Sequence, residues 1–237
     1  FMKKIQKLLV ANRGEIALRI IRTAKEMGLS TVAVYEKPDS EAYFLRFADQ
    51  AILIGDGPRR DYLNIDKIIT AAQKAGADAI HPGYGFLSEN PDLAQACVDA
   101  GITFIGPPPR VIRDLGNKVV AREIMEKAPI PFVPGTGTLS AGDAGLSEAV
   151  AFGKTHGYPI MLKALAGGGG RGIRKIAGEE ELRSQLPQAR SEARSAFNDD
   201  RIYIEKCVES PRHVEVQILA DAYGHVMHLG TRDCSIQ

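Results

Sequence analysis

The sequence predicts an α/β protein: an N-terminal domain wound on both faces of a parallel sheet, followed by an α+β unit. Three observations carry this. Short apolar runs alternate with amphipathic helical patterns up to about residue 115, a stretch rich in proline, glycine, serine and threonine follows, and beyond it three strand candidates come in succession without a helix between them.

In the first part, the runs 8–11, 31–35, 51–54, 79–81 and 103–105 read as strands, several of them apolar on both faces as buried parallel strands are. Between them, Ala17, Ile20, Ile21 and Ala24 form one helical stripe, and Ile65, Ile68, Ile69 and Ala72 form another. Asn90-Pro91 reads as a cap and first-turn proline. Asn117 is placed to cap a helix over 118–127, which Pro129, Pro131 and Pro134 end. The stretch 135–147 reads as a linker or loop. After it come a helix near 148–156, a strand at 160–163, the glycine cluster, a strand at 172–176 and a helical region over 179–197. Pro187 is expected to break that region in two. The strand candidates 202–205, 213–219 and 225–229 close the chain, and nothing follows to cover or pair the last of them. The expectation is therefore the N-terminal part of a longer protein.

Composition narrows the function classes. Thirty basic residues against 29 acidic ones, in a chain 44% hydrophobic, leave no net field to recruit nucleic acid or an anionic membrane. No run approaches the roughly 18 apolar residues of a membrane span. Cys97, Cys207 and Cys234 form no disulfide-like spacing, and no signal segment opens the chain, so the expected compartment is the cytoplasm.

Of 24 glycines, five lie between Gly167 and Gly172, with Lys163 before them and Arg171 among them. Glycine backbone approaches phosphate oxygens without a Cβ in the way. A P-loop or a dinucleotide fingerprint leads into a helix, whereas here the glycines join two strands. A hairpin flap over a triphosphate remains. The glycines alone fit a plain surface hairpin equally, and the two cations favour phosphate. Lys118, in the first turn of a helix, faces the positive end of the helix dipole, which an anion held there would explain, as would simple solvation. The stretch 203–208 leaves a strand with alternating C=O and N–H groups that suit an adenine edge, with Val208 against the base. Taken alone, an ordinary strand end is the simpler reading. His225 and His228, three apart on a strand candidate, fall on opposite faces and make a poor zinc pair. Asn12-Arg13-Gly14-Glu15 follows the first strand at the edge where α/β ligands bind, or Glu15 is simply a first-turn acid.

Several segments resemble the biotin carboxylases of the ATP-grasp superfamily: Val10-Ala11-Asn12-Arg13-Gly14-Glu15-Ile16-Ala17, His81-Pro82-Gly83-Tyr84-Gly85-Phe86-Leu87-Ser88-Glu89-Asn90, Phe104-Ile105-Gly106-Pro107, Gly116-Asn117-Lys118, the stretch 163–172, Pro211-Arg212-His213-Val214-Glu215-Val216-Gln217 and Arg232-Asp233-Cys234-Ser235-Ile236-Gln237. The resemblance implies a pre-ATP-grasp domain over 1–115, a helical linker plus lid subdomain with its flap over 116–207, and the first strands of an incomplete C-terminal ATP-grasp subdomain over 208–237. It implies ATP- and bicarbonate-dependent carboxylation of biotin through carboxyphosphate, with magnesium as metal. The implied partners are a biotin carboxyl carrier protein or domain, a carboxyltransferase and a second copy of the chain. The roles carried over assign Lys118 and Lys163 to the nucleotide phosphates and Gly169 and Gly170 to the flap. Glu205, Lys206 and Val208 go to the adenine hinge, His213 to the nucleotide, and Tyr84 and Gly85 to the loop near the active site. The family's metal ligands and catalytic residues are expected after Gln237, so this stretch alone is expected to turn over no ATP. Leu165-Ala166 stands where the family commonly has Ser-Gly, and Thr231 where it usually has Glu. Another ATP-grasp ligase and a non-catalytic nucleotide-binding or assembly module are the rival readings.

Overall fold

The computed structural model describes residues 4–128, 130–167 and 171–236; Pro129, read above as a helix stop, and Gly168, Gly169 and Gly170 of the glycine cluster lie outside them. The chain divides into two compact units, Phe1–Ile124 and Met125–Gln237.

In the first unit, β1 (Lys7–Val10), α1 (Gly14–Glu26), β2 (Ser30–Glu36), β3 (Gln50–Gly55), α2 (Ile65–Ala75), β4 (Ala79–His81), α3 (Pro91–Asp99) and β5 (Thr103–Phe104) alternate along the chain. The strands form one parallel sheet in the order β3-β2-β1-β4-β5. Successive residues of a strand point to opposite faces, and each face has its own core. Leu8, Val10 and Ala33 pack with Ala17, Ile21 and Ala24 of α1. Leu9, Val32 and Val34 pack with Ile68, Ala72 and Leu93 of α2 and α3. The winding on both faces expected from the apolar runs is thus observed. Asn64 caps α2 by accepting from Lys67 N at 3.1 Å, and Gly76 ends it in the left-handed conformation at φ 63°. Asn90 caps α3, accepting from Asp92 N at 2.7 Å, with Pro91 in the first turn. Then come α4 (Pro109–Gly116) and α5 (Lys118–Glu126).

In the second unit, α6 (Gly142–His156), β6 (Ile160–Ala164), β7 (Ile173–Ile176), α7 (Glu179–Phe197) and β8 (Ile202–Lys206) follow. The strands form an antiparallel sheet in the order β7-β6-β8, with β6 and β7 joined through the glycine cluster. Leu162, Ile176 and Ile204 pack with Ala149, Phe152, Leu182 and Leu186. A separate antiparallel pair, β9 (Val214–Ala220) and β10 (Val226–Asp233), completes the described chain.

Three expectations need correction here. First, Pro187 does not divide α7, which is continuous across it. A proline inside a helix costs about 3 kcal/mol. Burying Leu182 and Leu186 against the sheet is worth roughly 3–6 kcal/mol, and the stripe continues through Ala189 and Ala193 on the far side. Arg174 of β7 reaches both halves, bonding Gln185 and Glu192. Packing therefore outweighs the local signal.

Second, 135–147 is no free linker. Its first part runs along β8: Thr136 N donates to Ile204 O at 2.9 Å, Leu139 N to Ile202 O at 2.8 Å, and Lys206 N to Pro134 O at 2.8 Å. Its second part is the start of α6, six residues before the expected helix. One glycine there serves close packing: a Cβ on Gly145 would lie 1.9 Å from Ser140 O. Third, His225 precedes β10, in a turn where its Nδ1 meets Asp221 Oδ2 at 2.6 Å.

Candidate functional site

Lys163 sits on β6, one residue before the strand gives way to the glycine turn. Alternation along β6 buries Ile160, Leu162 and Ala164 toward the helices and leaves Met161 and Lys163 on the other face. Met161 lies opposite Glu205 of β8, and Lys163 opposite Tyr203. The Lys163 ammonium and the Glu205 carboxylate are therefore diagonal neighbours across two strands, and they form an ion pair. Both side chains are about four-fifths removed from solvent, at 23% and 19% exposure. The expectation from sequence used the main chain of Glu205; the structure shows that its carboxylate matters too.

The hinge stretch is more occupied than alternation alone suggests. Lys206 N donates to Pro134 O, and Cys207 N donates to Pro159 O at 3.2 Å. The Lys206 ammonium bonds Gly157 O at 3.0 Å. Val208 follows, 54% exposed. His213 is exposed; its N–H donates to Ser235 Oγ at 3.1 Å, and its carbonyl accepts from Cys234 N at 2.7 Å. Gly169 and Gly170 lie outside the described residues, so their placement toward a phosphate is not addressed by the geometry.

In the first unit, Lys118 opens α5 and is exposed. The Asn117 side chain accepts from Val119 N at 3.1 Å and Val120 N at 3.3 Å, as expected of a cap.

Tyr84 and Gly85 belong to a loop after β4, at the point where the strand order reverses between β1 and β4. That crevice is where open α/β sheets take ligands. The loop is held from several sides. Asn12, fully buried, donates from Nδ2 to Pro82 O at 2.8 Å and to Tyr84 O at 3.0 Å. Gly83 N donates to His81 Nδ1 at 3.0 Å. The Tyr84 hydroxyl donates to the Glu15 carboxylate, which raises its pKa. Burial pushes the His81 pKa down, consistent with an unprotonated Nδ1 serving as acceptor. Phe86, at φ 43°, stacks on Tyr62 with ring centroids 5.2 Å apart. The sequence places Asn12, with Arg13, Gly14 and Glu15, at the carboxyl edge of the first strand, and carries no signal of the carbonyls that it bonds. An apolar groove of about 440 Å³ lies beside this loop, lined by Leu8, Ile20, Ala24, Leu29 and Ile105 together with Arg19, His81 and Tyr84.

Nearby acids at the ends of β2 are committed internally. Glu36, 2% exposed, accepts from Asp61 N at 2.7 Å and from Arg59 N. Asp39 pairs with Arg13, whose guanidinium holds the Asp39 carboxyl below its ordinary range, and accepts from the Tyr62 hydroxyl at 2.7 Å. In a dinucleotide-binding fold the acid after the second strand meets a ribose; here it secures the 57–62 turn. Among the described residues, no group of three or more His, Cys, Asp or Glu is placed to hold a metal ion, and no helix is long and apolar enough to cross a membrane.

Residues 4–112 match the family model described as biotin carboxylase, N-terminal domain, and residues 117–237 match the carbamoyl-phosphate synthase L chain, ATP binding domain. The chain is 50% identical over 233 residues to a biotin carboxylase of Halalkalibacterium halodurans, covering 98% of this chain and 51% of that protein. It is 52% identical over 237 residues to the mitochondrial pyruvate carboxylase of Rattus norvegicus, covering 99% of this chain and 20% of that one. Among solved structures, the biotin carboxylase domain dimer of Hydrogenobacter thermophilus 2-oxoglutarate carboxylase, in complex with MgADP, ADP and bicarbonate, superposes with a TM-score of 0.89 at 48% identity. The match covers 100% of this chain and 51% of that one. The chain thus spans about half the length of the biotin carboxylases it matches, or less of the longer carboxylases.

Proposed function

Because this chain belongs to the biotin carboxylase family, we propose that it supplies the nucleotide-binding part of an ATP-dependent ligase that carboxylates biotin with bicarbonate through carboxyphosphate. The observation that carries this reading is Lys163, a cation placed by β6 at the mouth of a glycine turn between two antiparallel strands. Such a turn closes over phosphates without side-chain obstruction, and charge gathers on the transferring phosphoryl group, where cations stabilise it.

In this reading, Lys118 and Lys163 meet the nucleotide phosphates, and Gly169 and Gly170 supply flap amides. Glu205, Lys206 and Val208 frame the adenine. With Lys206 N–H and Cys207 N–H engaged inside the chain, exposed Val208 is the hinge position we assign to the base. His213 contacts the nucleotide, and Tyr84 and Gly85 border the bicarbonate and biotin. The described residues offer magnesium no cluster of ligands, and no step is assigned to it. The match of 4–112 to a biotin carboxylase N-terminal domain favours this reading over a carbamoyl phosphate synthetase or a non-catalytic module.

The partners that follow are a biotin carboxyl carrier protein or domain, a carboxyltransferase and a second copy of the chain. We place the protein in the cytoplasm, in keeping with three unpaired cysteines. The test is ADP release by the full-length protein with bicarbonate and free biotin each supplied and withheld. Release that needs both supports the reading, and ATP consumption indifferent to biotin sinks it.

A further inference from the structure

We infer that Asn12 is the positioning residue of the loop over 82–86, fixing the backbone that presents Tyr84 and Gly85. The inference rests on the proposal above that this loop borders the bicarbonate and biotin.

Asn12 is wholly buried, and a buried amide is tolerated only where its hydrogen bonds are made. Every one is directed. Its two N–H bonds point to Pro82 O and Tyr84 O, at 2.8 and 3.0 Å, while its Oδ1 accepts from Arg13 N at 2.9 Å. Two carbonyls accept and one amide donates, so the orientation of the group follows from its partners and the reverse flip is excluded. The grip falls on two carbonyls that bracket Gly83. A Cβ at Gly83 would come within 2.8 Å of Asn12 Nδ2, so loop and side chain are fitted to one another.

The loop needs such a grip. Gly83, Gly85 and Phe86 have φ values of 70°, 69° and 43°. A non-glycine residue in that region persists only where its surroundings over-determine it. Phe86 has Tyr62 beneath it, the Gly83 amide has His81 Nδ1, the Tyr84 hydroxyl has Glu15, and Asn12 ties the main chain of the loop to the turn after β1. Because main-chain atoms are held, Asn12 governs where the loop lies and not which side chains it carries. It touches no reacting group in this arrangement.

Asn12→Asp preserves shape while turning two donors into an acceptor facing two carbonyl oxygens, and Asn12→Ser shortens the reach. In the full-length protein both are expected to raise KM for bicarbonate and for biotin at least tenfold and to leave KM for ATP within twofold. In the same full-length protein, amide hydrogen exchange over 80–88 should quicken at least tenfold while α2 keeps its protection. Two results overturn the inference: faster exchange over 80–88 with both substrate constants unchanged, or loss of protection spread evenly through the first unit. If Asn12→Asp does not fold, Asn12→Ser decides. Tyr84→Ala separates the two levels. If it moves neither substrate constant, the placement of the loop at the substrates fails. If it moves them and the Asn12 variants do not, only the positioning role fails.

Discussion

The Lys163 ammonium and the Glu205 carboxylate, 42 residues apart in the chain, are ion-paired across β6 and β8. A phosphate bound by Lys163 competes with that carboxylate or shares the lysine with it. Replacing Lys163 with Met should weaken ATP binding at least tenfold, about 1.4 kcal/mol, and remove one counter-ion of Glu205 at a stability cost of about 1–3 kcal/mol. Adding Glu205→Gln should recover much of the stability and none of the affinity. Calorimetric titration and urea unfolding of the single and double variants make the cycle. Equal ATP affinity in wild type and Lys163→Met would remove the lysine from the nucleotide site.

Two glycines of one loop should respond differently to the same change. Gly85 has φ 69° and open space where a Cβ would go, so Gly85→Ala costs only the left-handed backbone, about 1–2 kcal/mol. Gly83 has the same backbone conformation, but its Cβ would lie 2.6 Å from Ile16 and 2.8 Å from Asn12. Urea midpoints should fall clearly further for Gly83→Ala. Equal losses would mean that the contact with Asn12 carries no energy.

His81 ties stability to pH. Its pKa is held below the ordinary 6.5 by burial, so in the acid range the unfolded chain takes a proton that the folded chain refuses. Stability contributed by neutral His81 is present above about pH 6.5 and drains away as pH falls toward the folded pKa, with a limiting slope of about 1.4 kcal/mol per pH unit. Asn at this position keeps an acceptor near the place of Nδ1 and does not titrate. His81→Asn should flatten the difference between unfolding free energies at pH 7 and pH 5; an unaltered slope would place the titration elsewhere.

The unbroken helix makes the fourth prediction. Pro187→Ala restores an N–H to the interior of α7, worth about 3 kcal/mol, and loosens the unfolded chain by up to about 1 kcal/mol. A net gain of about 2–3 kcal/mol is expected in thermal or urea unfolding. Destabilisation would show that the proline is fitted to a bend that the packing requires.

What could be read from the chain depended on how local its cause was. Strands β1 and β2 announced themselves because both their faces are buried, so the runs around Leu9 and Val32 are apolar throughout. The stripes of α1 and α2 and the Asn90-Pro91 cap are equally short-range. Of the candidate site, Lys163 on the strand before the glycines stood out by spacing alone. Its pairing with Glu205 did not, because it depends on the register of two strands separated in the chain by β7 and α7. The bonds of Asn12 could not be read for the same reason, its partners lying some 70 residues away. Pro187 and the stretch after Pro134 misled because composition gives a residue's local preference, and neither outcome was decided locally.

The way 134–139 lies against β8 bears on how this protein tolerates change. Nearly every bond there joins main chain to main chain, and the exception is the Thr136 hydroxyl, which accepts from Ile204 N at 3.0 Å. Side-chain identity at the exposed positions of this segment is therefore open to drift, with Thr136 set apart by its hydroxyl and Leu139 by its burial in the core. Its length is not: adding or removing one residue slides every carbonyl off its amide. Inserting a tag or a reporter between Pro134 and Leu139 would damage the molecule more than rewriting the letters there.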